Sequence, residues 1–439
     1  MNESAADAAR EILLAAIRAA DPRALTATAL CGWRERHAGA SIDVIAVGKA
    51  ADAMVRGAAE ALGDVMRGGV VIAPAVASSL AAGLRAFAGG HPTPNGEGAR
   101  GAEEVMRLLG AAGRTAPVLA LISGGASSLM TLPAPGLTLD DIVAVSRALM
   151  AAGADIRELN CVRKHLDQLK GGLMARAAGG TTIRALVLSD VIGDPLDVIA
   201  SGPLVADPTT YHDAIGVLRS RGTWEAVPRA VADHLLAGAR GEIAETPEAG
   251  DACFAHVEIE VIGNNALAVR GAADEARRRG YAVEIVPDAV VGEARDAGER
   301  FARHALQVGA GLRDPLCLVA GGETTVTVAG TGVGGRNLEF AAAAALTIDG
   351  VRGIAIGSIG TDGRDGPTDA AGAVVDGDTV RRARSAGADI ADHLRNNDTL
   401  RALDAAKVVM RTGPTGTNVA DVCIATWRNS SRSGIVSPE

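Results

Sequence analysis

Short apolar runs that end in glycine or a charged residue alternate with helix-patterned segments along most of this chain. In the first half the apolar runs lie at 42–48, 68–74, 116–123 and 183–190, with helical spacing in the segments between them. This alternation predicts βαβ units and a mostly parallel sheet covered by helices on both faces. The composition agrees, because 55 glycines and an aromatic fraction of only 2% suit strands packed tightly against alanine-rich helices.

A polar, turn-rich stretch at 238–251 interrupts the pattern, which then restarts. The apolar runs of the second half lie at 256–265, 281–287, 315–322, 324–330, 353–360 and 418–425. A chain of 439 residues is also long enough for two domains. We therefore predict an N-terminal α/β domain at 1–240, a C-terminal α/β domain at 241–428 and a disordered tail at 429–439.

Charge and composition narrow the class of partner. The net charge of −9 and the few aromatic residues argue against nucleic acid, although a local cluster of cations can still bind an anionic small molecule. The N-terminus lacks the features of a signal peptide, and no run of 18 apolar residues occurs. Five widely spaced cysteines are typical of reduced thiols. We expect a cytoplasmic protein, monomer or homodimer, that acts on small molecules and contacts no membrane.

Candidate site residues cluster where the predicted strands end. In open α/β sheets a ligand binds beyond the carboxyl ends of the strands, although glycine and aspartate are also common in ordinary βα turns. The residues that we predict to bind substrate or nucleotide at these ends are Lys49, Ser123, Gly124, Gly125, Ser127, Ser128, Gly321, Gly322, Glu323, Thr324 and Asp362.

The stretch "SGGASS" (123–128) places two glycines before hydroxyls that open a helix. Backbone N–H groups in such a turn bind anions, and the alternative is a serine that merely caps the helix. Lys49 is either a surface lysine or a fixed cation for phosphate or carboxylate. Four further binding candidates, which have a solvated helix face or a loop cap as their alternatives, are His91, Arg163, Lys164 and Lys170.

Three carboxylates adjoin glycine-rich turns and are candidate Mg²⁺ ligands: Asp190, Asp194 and Glu323. Magnesium is usually bound by one or two carboxylates together with phosphate oxygens. Aspartate is also a favoured turn residue, so a purely local role is the alternative.

The glycine-rich stretch Gly330–Gly335 matches G-x-G-x-x-G, the dinucleotide-binding pattern. That pattern requires an acidic residue about 20 residues later, at the end of a second strand. Asp349 comes too early, and the strand predicted at 353–360 ends in glycine. The side chains favour a different interpretation, an anion site at the start of a helix, where the helix dipole is positive. The residues of this predicted site are Gly334, Gly335, Arg336 and Asn337.

Eight stretches of the sequence jointly resemble the class II glycerate kinases. They are "VGKAA", "GGHPTPN", "SGGASSL", "NCVRKHLDQLKGG", "LSDVIGDPLDVIASGP", "GGETTVTV" followed by "GGRNLE", "TDGRDGPTDAAGA" and "TGPTGTNVADV". The resemblance runs from about residue 8 to about residue 425. It implies an N-terminal Rossmann-like α/β/α sandwich, a C-terminal α/β domain of the MOFRL type and an active site in the cleft between the domains.

The activity that the resemblance implies is the phosphorylation of D-glycerate by ATP, typically to 2-phosphoglycerate, with Mg²⁺. The essential lysine and arginine of the family fall on Lys49 and Arg336. We expect Asp190 to bind Mg²⁺ or to accept the substrate proton. Some relatives carry the name hydroxypyruvate reductase, so an NAD(P)H-dependent reductase is the alternative.

Overall fold

The structure, a computed structural model, describes residues 3–36, 41–76, 83–111, 116–311 and 314–428. The chain divides into two compact units, which we describe separately. The first unit comprises residues 22–262, and the second comprises residues 1–21 together with 263–439. The structure therefore places the division about 20 residues beyond the predicted boundary at 240 and assigns the N-terminal segment to the second unit. The predicted tail at 429–439 lies outside the described residues.

The N-terminal helix α1 (Ala5–Ala19) explains the second of these differences. It begins after Ser4, whose hydroxyl accepts a hydrogen bond from the N–H group of Asp7. One face of the helix, which includes Ile12 and Leu13, is fully buried. This apolar face packs on helices and strands of the second unit. Residues 1–21 therefore belong to the second unit, although they precede the first unit in the sequence.

The first unit is built on a sheet in the spatial order β3-β2-β1-β4-β5-β6. Its strands are β1 (Ile42–Val47), β2 (Met66–Ala73), β3 (Leu84–Ala88), β4 (Val118–Ser123), β5 (Ile183–Leu188) and β6 (Val257–Gly263). Neighbouring strands from β3 to β5 pair in parallel. Every residue of β1 and β4 is buried, as expected for strands covered on both faces. The predicted Rossmann-like parallel sheet is confirmed, and β6 carries this unit past residue 240.

Helices cover the first sheet and begin at defined capping residues. Three of them start with a capping box, in which the side chains of the cap and of the third helical residue bond each other's backbone N–H. The helices are α2 (Pro22–Ala29), α3 (Trp33–Arg36), α4 (Ala51–Leu62), α5 (Gly96–Leu109), α6 (Ala126–Leu129), α7 (Leu139–Ala151), α8 (Ile156–Lys164), α9 (Leu173–Ala177), α10 (Tyr211–Ser220) and α11 (Arg229–Ala239).

The second unit contains a mixed sheet in the order β12-β11-β10-β13-β9-β7, with β8 also beside β9. Its strands are β7 (Ala282–Ile285), β8 (Val290–Glu293), β9 (Leu316–Thr325), β10 (Ile354–Gly360), β11 (Gly372–Asp376), β12 (Val409–Met410) and β13 (Asp421–Trp427). Strand β13 runs antiparallel to both of its neighbours, β9 and β10. The helices are α12 (Asn265–Arg278), α13 (Ala294–Gly309), α14 (Arg336–Thr347), α15 (Thr379–Ser385), α16 (Ile390–Arg395) and α17 (Thr399–Ala405).

The predicted strand at 324–330 is wrong. Strand β9 continues to Thr325, and the residues that follow it form a loop. The N–H groups of Ala329 and Gly330 donate to the side-chain oxygen of Asn397 instead of to a neighbouring strand. Alternating threonine and valine imitate the two-residue period of a strand, but the partners of this backbone are side chains distant in sequence. Among the described residues, we find no helix long and apolar enough to cross a membrane.

Candidate active site

The strand ends of the first unit meet at one edge of its parallel sheet. Register places Val47 opposite Ile122, and Ser123 opposite Leu188. On the other side, Ala73 at the end of β2 lies opposite Ala88 at the end of β3. The segments that follow these strands therefore leave from the same edge. They carry Lys49, His91, Ser123, Gly124, Gly125, Ser127, Ser128 and Asp190.

The turn that carries Lys49 is fixed by β4. Gly48 has φ of +128°, and a side chain there would overlap Ser123, so only glycine fits. The hydroxyl of Ser123 accepts the N–H of Ala50 at 3.0 Å, while the N–H of Lys49 donates to the carbonyl oxygen of Gly124 at 2.9 Å. Ser123 is only 1% exposed, so its hydroxyl holds this turn, contrary to the predicted ligand contact. The Lys49 side chain itself is exposed.

Gly124 and Gly125 pack against three of the predicted side chains. A side chain at Gly124 would overlap the carboxylate of Asp190. A Cβ at Gly125 would lie 3.0 Å from Cδ2 of His91 and 3.4 Å from Cγ of Lys49. Partial burial and the Lys49 cation both lower the pKa of His91, so its imidazole is neutral at pH 7. The absence of side chains at the two glycines thus allows a cation, an imidazole and a carboxylate to share one strand-end site.

The hydroxyls of the SGGASS turn belong to a local hydrogen-bond network. The hydroxyl of Ser201 donates either to Ser127 Oγ at 2.9 Å or to the amide oxygen of Asn160 at 2.8 Å. The buried hydroxyl of Ser128 donates to the carbonyl oxygen of Gly125 at 3.2 Å. Ser201 and Asn160 were not predicted from the sequence. Ser201 lies inside the quoted stretch "VIASGP", but its contact with Ser127 spans 74 residues.

Two of the predicted binding lysines point into the protein interior. Lys164 Nζ lies 3.0 Å from Oδ1 of Asp207. Lys170 Nζ lies 2.5 Å from Oδ2 of Asp167 and donates to the carbonyl oxygen of Met130 at 3.0 Å. Both lysines are no more than 3% exposed. Because these ammonium groups are buried against carboxylates, we correct their assignment from ligand binding to structural ion pairs.

Arg163, the third predicted cation of this stretch, also has a partner within the first unit. Its Nε donates to the hydroxyl of Ser146 at 3.1 Å. Burial lowers the pKa of the Arg163 guanidinium, and the Asp167 carboxylate partly opposes the effect.

In the second unit, strand ends again create a site, and an antiparallel strand contributes to it. Asp421, the first residue of β13, lies opposite Gly322 of β9 and Gly360 of β10. Arg336, the first residue of α14, donates from Nε to Oδ2 of Asp421 at 2.6 Å and from Nη2 to Oδ1 at 2.9 Å. Its Nη2 also lies 3.3 Å from Oε1 of Glu323. The two-point contact fixes the plane of the guanidinium.

In the Arg336–Asp421 ion pair, burial and the charge of the partner shift the pKa of each group in opposite directions. The Arg336 side chain is 27% exposed and that of Asp421 is 4% exposed. Burial alone would lower the pKa of Arg336, but the Asp421 carboxylate outweighs it, so the pKa is raised and the guanidinium stays charged. Burial raises the pKa of Asp421, while Arg336 opposes this shift. Asp421 was not predicted, although it lies within the quoted motif "TGTNVADV".

The start of helix α14 already has an anion bound to it, the side chain of Asp365. The Asp365 carboxylate accepts the N–H groups of Asn337 at 3.0 Å and Leu338 at 2.8 Å. Asn337 is 1% exposed, and its amide oxygen accepts the hydroxyl of Ser358 at 2.5 Å. The predicted ligand roles of Asn337 and of these helix N–H groups are therefore corrected, because the chain itself satisfies them.

The remaining predicted residues of the second unit lie in different settings. Gly321 and Gly322 lie within β9 and pair with β13, and Gly322 also lies opposite Val290 of β8. Asp362 is half-buried and accepts the N–H of Arg364 at 3.0 Å. A cavity of about 660 Å³ is lined by Glu323, Thr324, Gly334, Gly335 and Arg336, together with other residues of this unit.

The Asp365 cap gives the protein a predicted pH dependence. Burial raises the pKa of Asp365 to about 6, although its hydrogen bonds with N–H groups oppose the shift. Between roughly pH 4 and pH 6 the folded protein therefore holds a proton that the unfolded chain has lost, and stability falls as the pH rises. We expect Asp365→Asn to remove on the order of 1–3 kcal/mol of this pH-dependent change, measured by urea unfolding at both pH values. Asp369 is exposed, so Asp369→Asn is the control. If the free energy of unfolding changed with pH equally in the wild type and in both variants, the prediction would be contradicted.

The predicted metal ligands lie in both units, Asp190 and Asp194 in the first and Glu323 in the second. Asp194 has a positive φ of 53°, which places it in a tight turn. Within the ranges that the structure describes, no three or more histidine, cysteine, aspartate or glutamate side chains group as a metal site. A metal that arrives with phosphate oxygens needs only one or two protein carboxylates.

Two family models match the chain. One, described as a domain of unknown function (DUF4147), matches residues 8–236, and the other, the MOFRL family, matches residues 316–421. A D-glycerate 2-kinase from Thermotoga maritima is 41% identical over 387 residues, which cover 87% of this chain and 89% of that protein. The chain belongs to the glycerate kinase family. In this member of the glycerate kinase family, the first match includes Lys49, His91 and Asp190, and the second includes Arg336 and ends at Asp421.

A solved structure supports the assignment to the glycerate kinase family. The crystal structure of a glycerate kinase from Thermotoga maritima has a TM-score of 0.87 and 38% identity, covering 96% of this chain and 99% of that one. A protein from Agrobacterium vitis named as a putative hydroxypyruvate reductase is also 38% identical, over 95% of this chain and 94% of that protein. Relatives of this chain are thus named for both activities.

Proposed function

We propose that this protein transfers a phosphoryl group from ATP to the 2-hydroxyl of D-glycerate, giving 2-phosphoglycerate and ADP. The observation that carries the proposal is the 41% identity to the D-glycerate 2-kinase of Thermotoga maritima over 87% of the chain. The proposed setting is the cytoplasm, with the protein as a monomer or homodimer, and sedimentation analysis would determine which of the two it is.

The side chains of both candidate sites suit phosphoryl transfer, which depends on positioning and charge neutralisation rather than on covalent chemistry. Lys49 is an exposed cation on a rigid turn, next to a neutral imidazole and a carboxylate. Arg336 is a cation whose orientation is fixed by Asp421. In the proposed reaction both cations act on anionic groups of the reactants, and Asp190 orients or deprotonates the glycerate hydroxyl.

Magnesium is part of the proposal, and the setting of Asp190 fits such a ligand best. Its half-buried carboxylate lies against Gly124, in the same glycine turn that packs against Lys49 and His91. When bound with ATP, Mg²⁺ supplies charge neutralisation on the phosphate oxygens. Glu323 is the alternative ligand, although it already faces the guanidinium of Arg336.

The reductase alternative has weaker support in the glycine-rich stretch. A dinucleotide fingerprint needs a tight turn directly between a strand and a helix. Here β9 ends at Thr325 and α14 begins at Arg336, so ten residues separate the two elements. The loop between them bonds to Asn396, Asn397 and Asp398 of the same chain.

One pair of assays tests the proposal. We expect ADP formation from ATP and Mg²⁺ that depends on D-glycerate, and no oxidation of NADH or NADPH with hydroxypyruvate. Phosphorus NMR of the product distinguishes 2-phosphoglycerate from the 3-phosphate. Reduced-nucleotide oxidation without ADP formation would replace the kinase by the reductase, and a 3-phosphate product would overturn the assigned hydroxyl.

A further inference from the structure

The second unit contains a cavity of about 660 Å³ beneath the loop that joins β9 to α14. Its lining includes Thr324, Val326, Val328, Gly334, Arg336 and Pro367, all of which belong to this unit. Resting on the proposed kinase function, we propose that this cavity holds the nucleoside part of ATP, with the phosphate chain leaving it at Arg336.

The volume of the cavity fits ATP better than it fits D-glycerate. Binding cavities for cofactor-sized molecules range over roughly 300–1,000 Å³. D-Glycerate has only three carbons and four oxygens, so it would leave most of a 660 Å³ cavity filled with water. Of the two reactants in the proposed reaction, only ATP has a bulk that matches the space.

The lining contains both apolar and polar side chains. Val326, Val328 and Pro367 supply aliphatic surface, and Val328 is 72% exposed. Because the chain has so few aromatic residues, aliphatic side chains of this kind are the available surface for the face of a base. Thr324 and Glu323 lie at the end of β9, where hydroxyl and carboxylate groups can bond the ribose hydroxyls.

Charge argues that the phosphates do not enter the cavity. Glu323 and Glu339 are carboxylates of its lining, whereas Arg336 is its cation. The buried Glu339 is bound by Arg295 at 2.8 Å and accepts the side-chain N–H of Asn397 at 2.6 Å. Because Arg295 compensates Glu339, the exposed carboxylate of Glu323 is the group that would repel the phosphates, so the uncharged base and ribose are the part that fits. The phosphate end then lies toward Arg336, a cation of the described lining.

Several backbone N–H groups of the loop between β9 and α14 are paired with side chains of the same chain, so they do not offer a site for phosphate. Asn397 Oδ1 accepts the N–H groups of Ala329 at 2.9 Å and Gly330 at 2.8 Å. Asn396 Oδ1 accepts the N–H of Thr331 at 3.2 Å, and Asp398 Oδ1 accepts that of Val333 at 3.1 Å. With the first amides of α14 bound by Asp365, these N–H groups are already paired and none of them is left for phosphate. These hydrogen bonds instead hold the loop in position beside the cavity before a ligand binds.

The test compares two exposed valines of the same loop. Val328 lines the cavity, whereas Val333, which is 46% exposed, is not among the residues that line it. We expect Val328→Glu to weaken binding of N-methylanthraniloyl-ADP by about tenfold or more, and to raise the KM for ATP similarly, with the KM for D-glycerate within about two-fold of wild type. Val333→Glu should change none of these values by more than about two-fold, and circular dichroism checks that both variants fold.

A second measurement uses the unmodified protein. Photolysis with 8-azido-ATP should label the peptide that contains residues 323–336 or the one that contains 366–367, and ATP but not D-glycerate should compete. Labelling confined to peptides of the first unit would overturn the inference, as would unchanged nucleotide binding in a folded Val328→Glu variant.

The outcomes separate this inference from the proposed function. If ADP forms normally and Val328→Glu leaves nucleotide binding unchanged, the kinase stands and this location is wrong. If no glycerate-dependent ADP forms, but Val328→Glu alone loses N-methylanthraniloyl-ADP, the nucleotide site stands without the kinase. A rise in the KM for D-glycerate alone would assign the cavity to the acid.

Discussion

Replacing Arg336 by alanine is expected to lower kcat on the order of 10²–10³-fold and to destabilise the fold by about 3–5 kcal/mol at pH 7. The first effect follows from loss of a cation that stabilises developing charge. The second follows from Asp421, whose side chain is 4% exposed and would lose the guanidinium that pairs with it. Steady-state ADP formation measures the first effect, and urea unfolding measures the second.

A compensating variant separates these two effects. Replacing a buried ion pair by apolar residues of similar volume is often neutral for stability. Arg336→Met with Asp421→Leu should therefore recover most of the lost stability without recovering kcat. Recovery of both would show that Arg336 acts only through the fold.

The stability loss in Arg336→Ala should depend on pH. Burial raises the pKa of Asp421, and removing Arg336 takes away the group that opposes this shift. The carboxyl then takes up a proton more readily as the pH falls, and the folded state gains stability below its raised pKa. Arg336→Ala should therefore lower the free energy of unfolding less at pH 5 than at pH 8. A larger loss at pH 5 would contradict this account of the ion pair.

Short, nearly continuous apolar runs predicted most strands of the first unit, because parallel strands buried on both faces contain few polar residues. The runs at 42–48, 116–123 and 183–190 correspond to β1, β4 and β5 within two residues at each end. Strand β3 was not predicted, since its sequence LRAFA is short and half-exposed at the edge of the sheet. Strands β8, β11 and β12 also went unpredicted, and each has five residues or fewer.

The sequence predicted the positions of those candidate site residues that lie close to the end of a strand or the start of a helix. Lys49 lies two residues after the end of β1, and Gly124 and Gly125 come directly after β4. Arg336 begins α14, as the sequence predicted. The structure places these residues where the sequence predicted them, because their positions depend only on where each strand stops or each helix begins; their contact with a ligand stays a prediction.

Partners distant in sequence were not predictable. Asp421 is 85 residues from Arg336 and belongs to the amino end of an antiparallel strand, which the rule for parallel sheets does not cover. Similarly, Asp207 and Lys164 are separated by 43 residues. A single sequence cannot show that a lysine on a short helix meets a buried carboxylate rather than solvent or substrate. The same limit concealed Asp365 as the cap of α14.

Replacing Lys49 by alanine is expected to lower kcat/KM on the order of 10²–10³-fold with little change in stability. Lys49 is exposed, so its removal leaves no buried charge unpaired and no cavity. The exposed Lys407, changed to glutamine, is the matched control and should leave kcat/KM within about two-fold of wild type. Near-normal turnover of Lys49→Ala would remove the lysine from the proposed reaction.

Combining the Lys49→Ala and Arg336→Ala changes tests whether one transition state needs both cations. Groups that stabilise the same developing charge act as a unit, so the double variant should lose less kcat/KM than the product of the two single losses. Four proteins measured under one condition, at saturating Mg²⁺ and below KM for both substrates, give the coupling. If the losses simply multiply, the two residues act on different groups or in different steps. The expectation that both cations stabilise the same developing charge would then be wrong, even if each cation is individually essential.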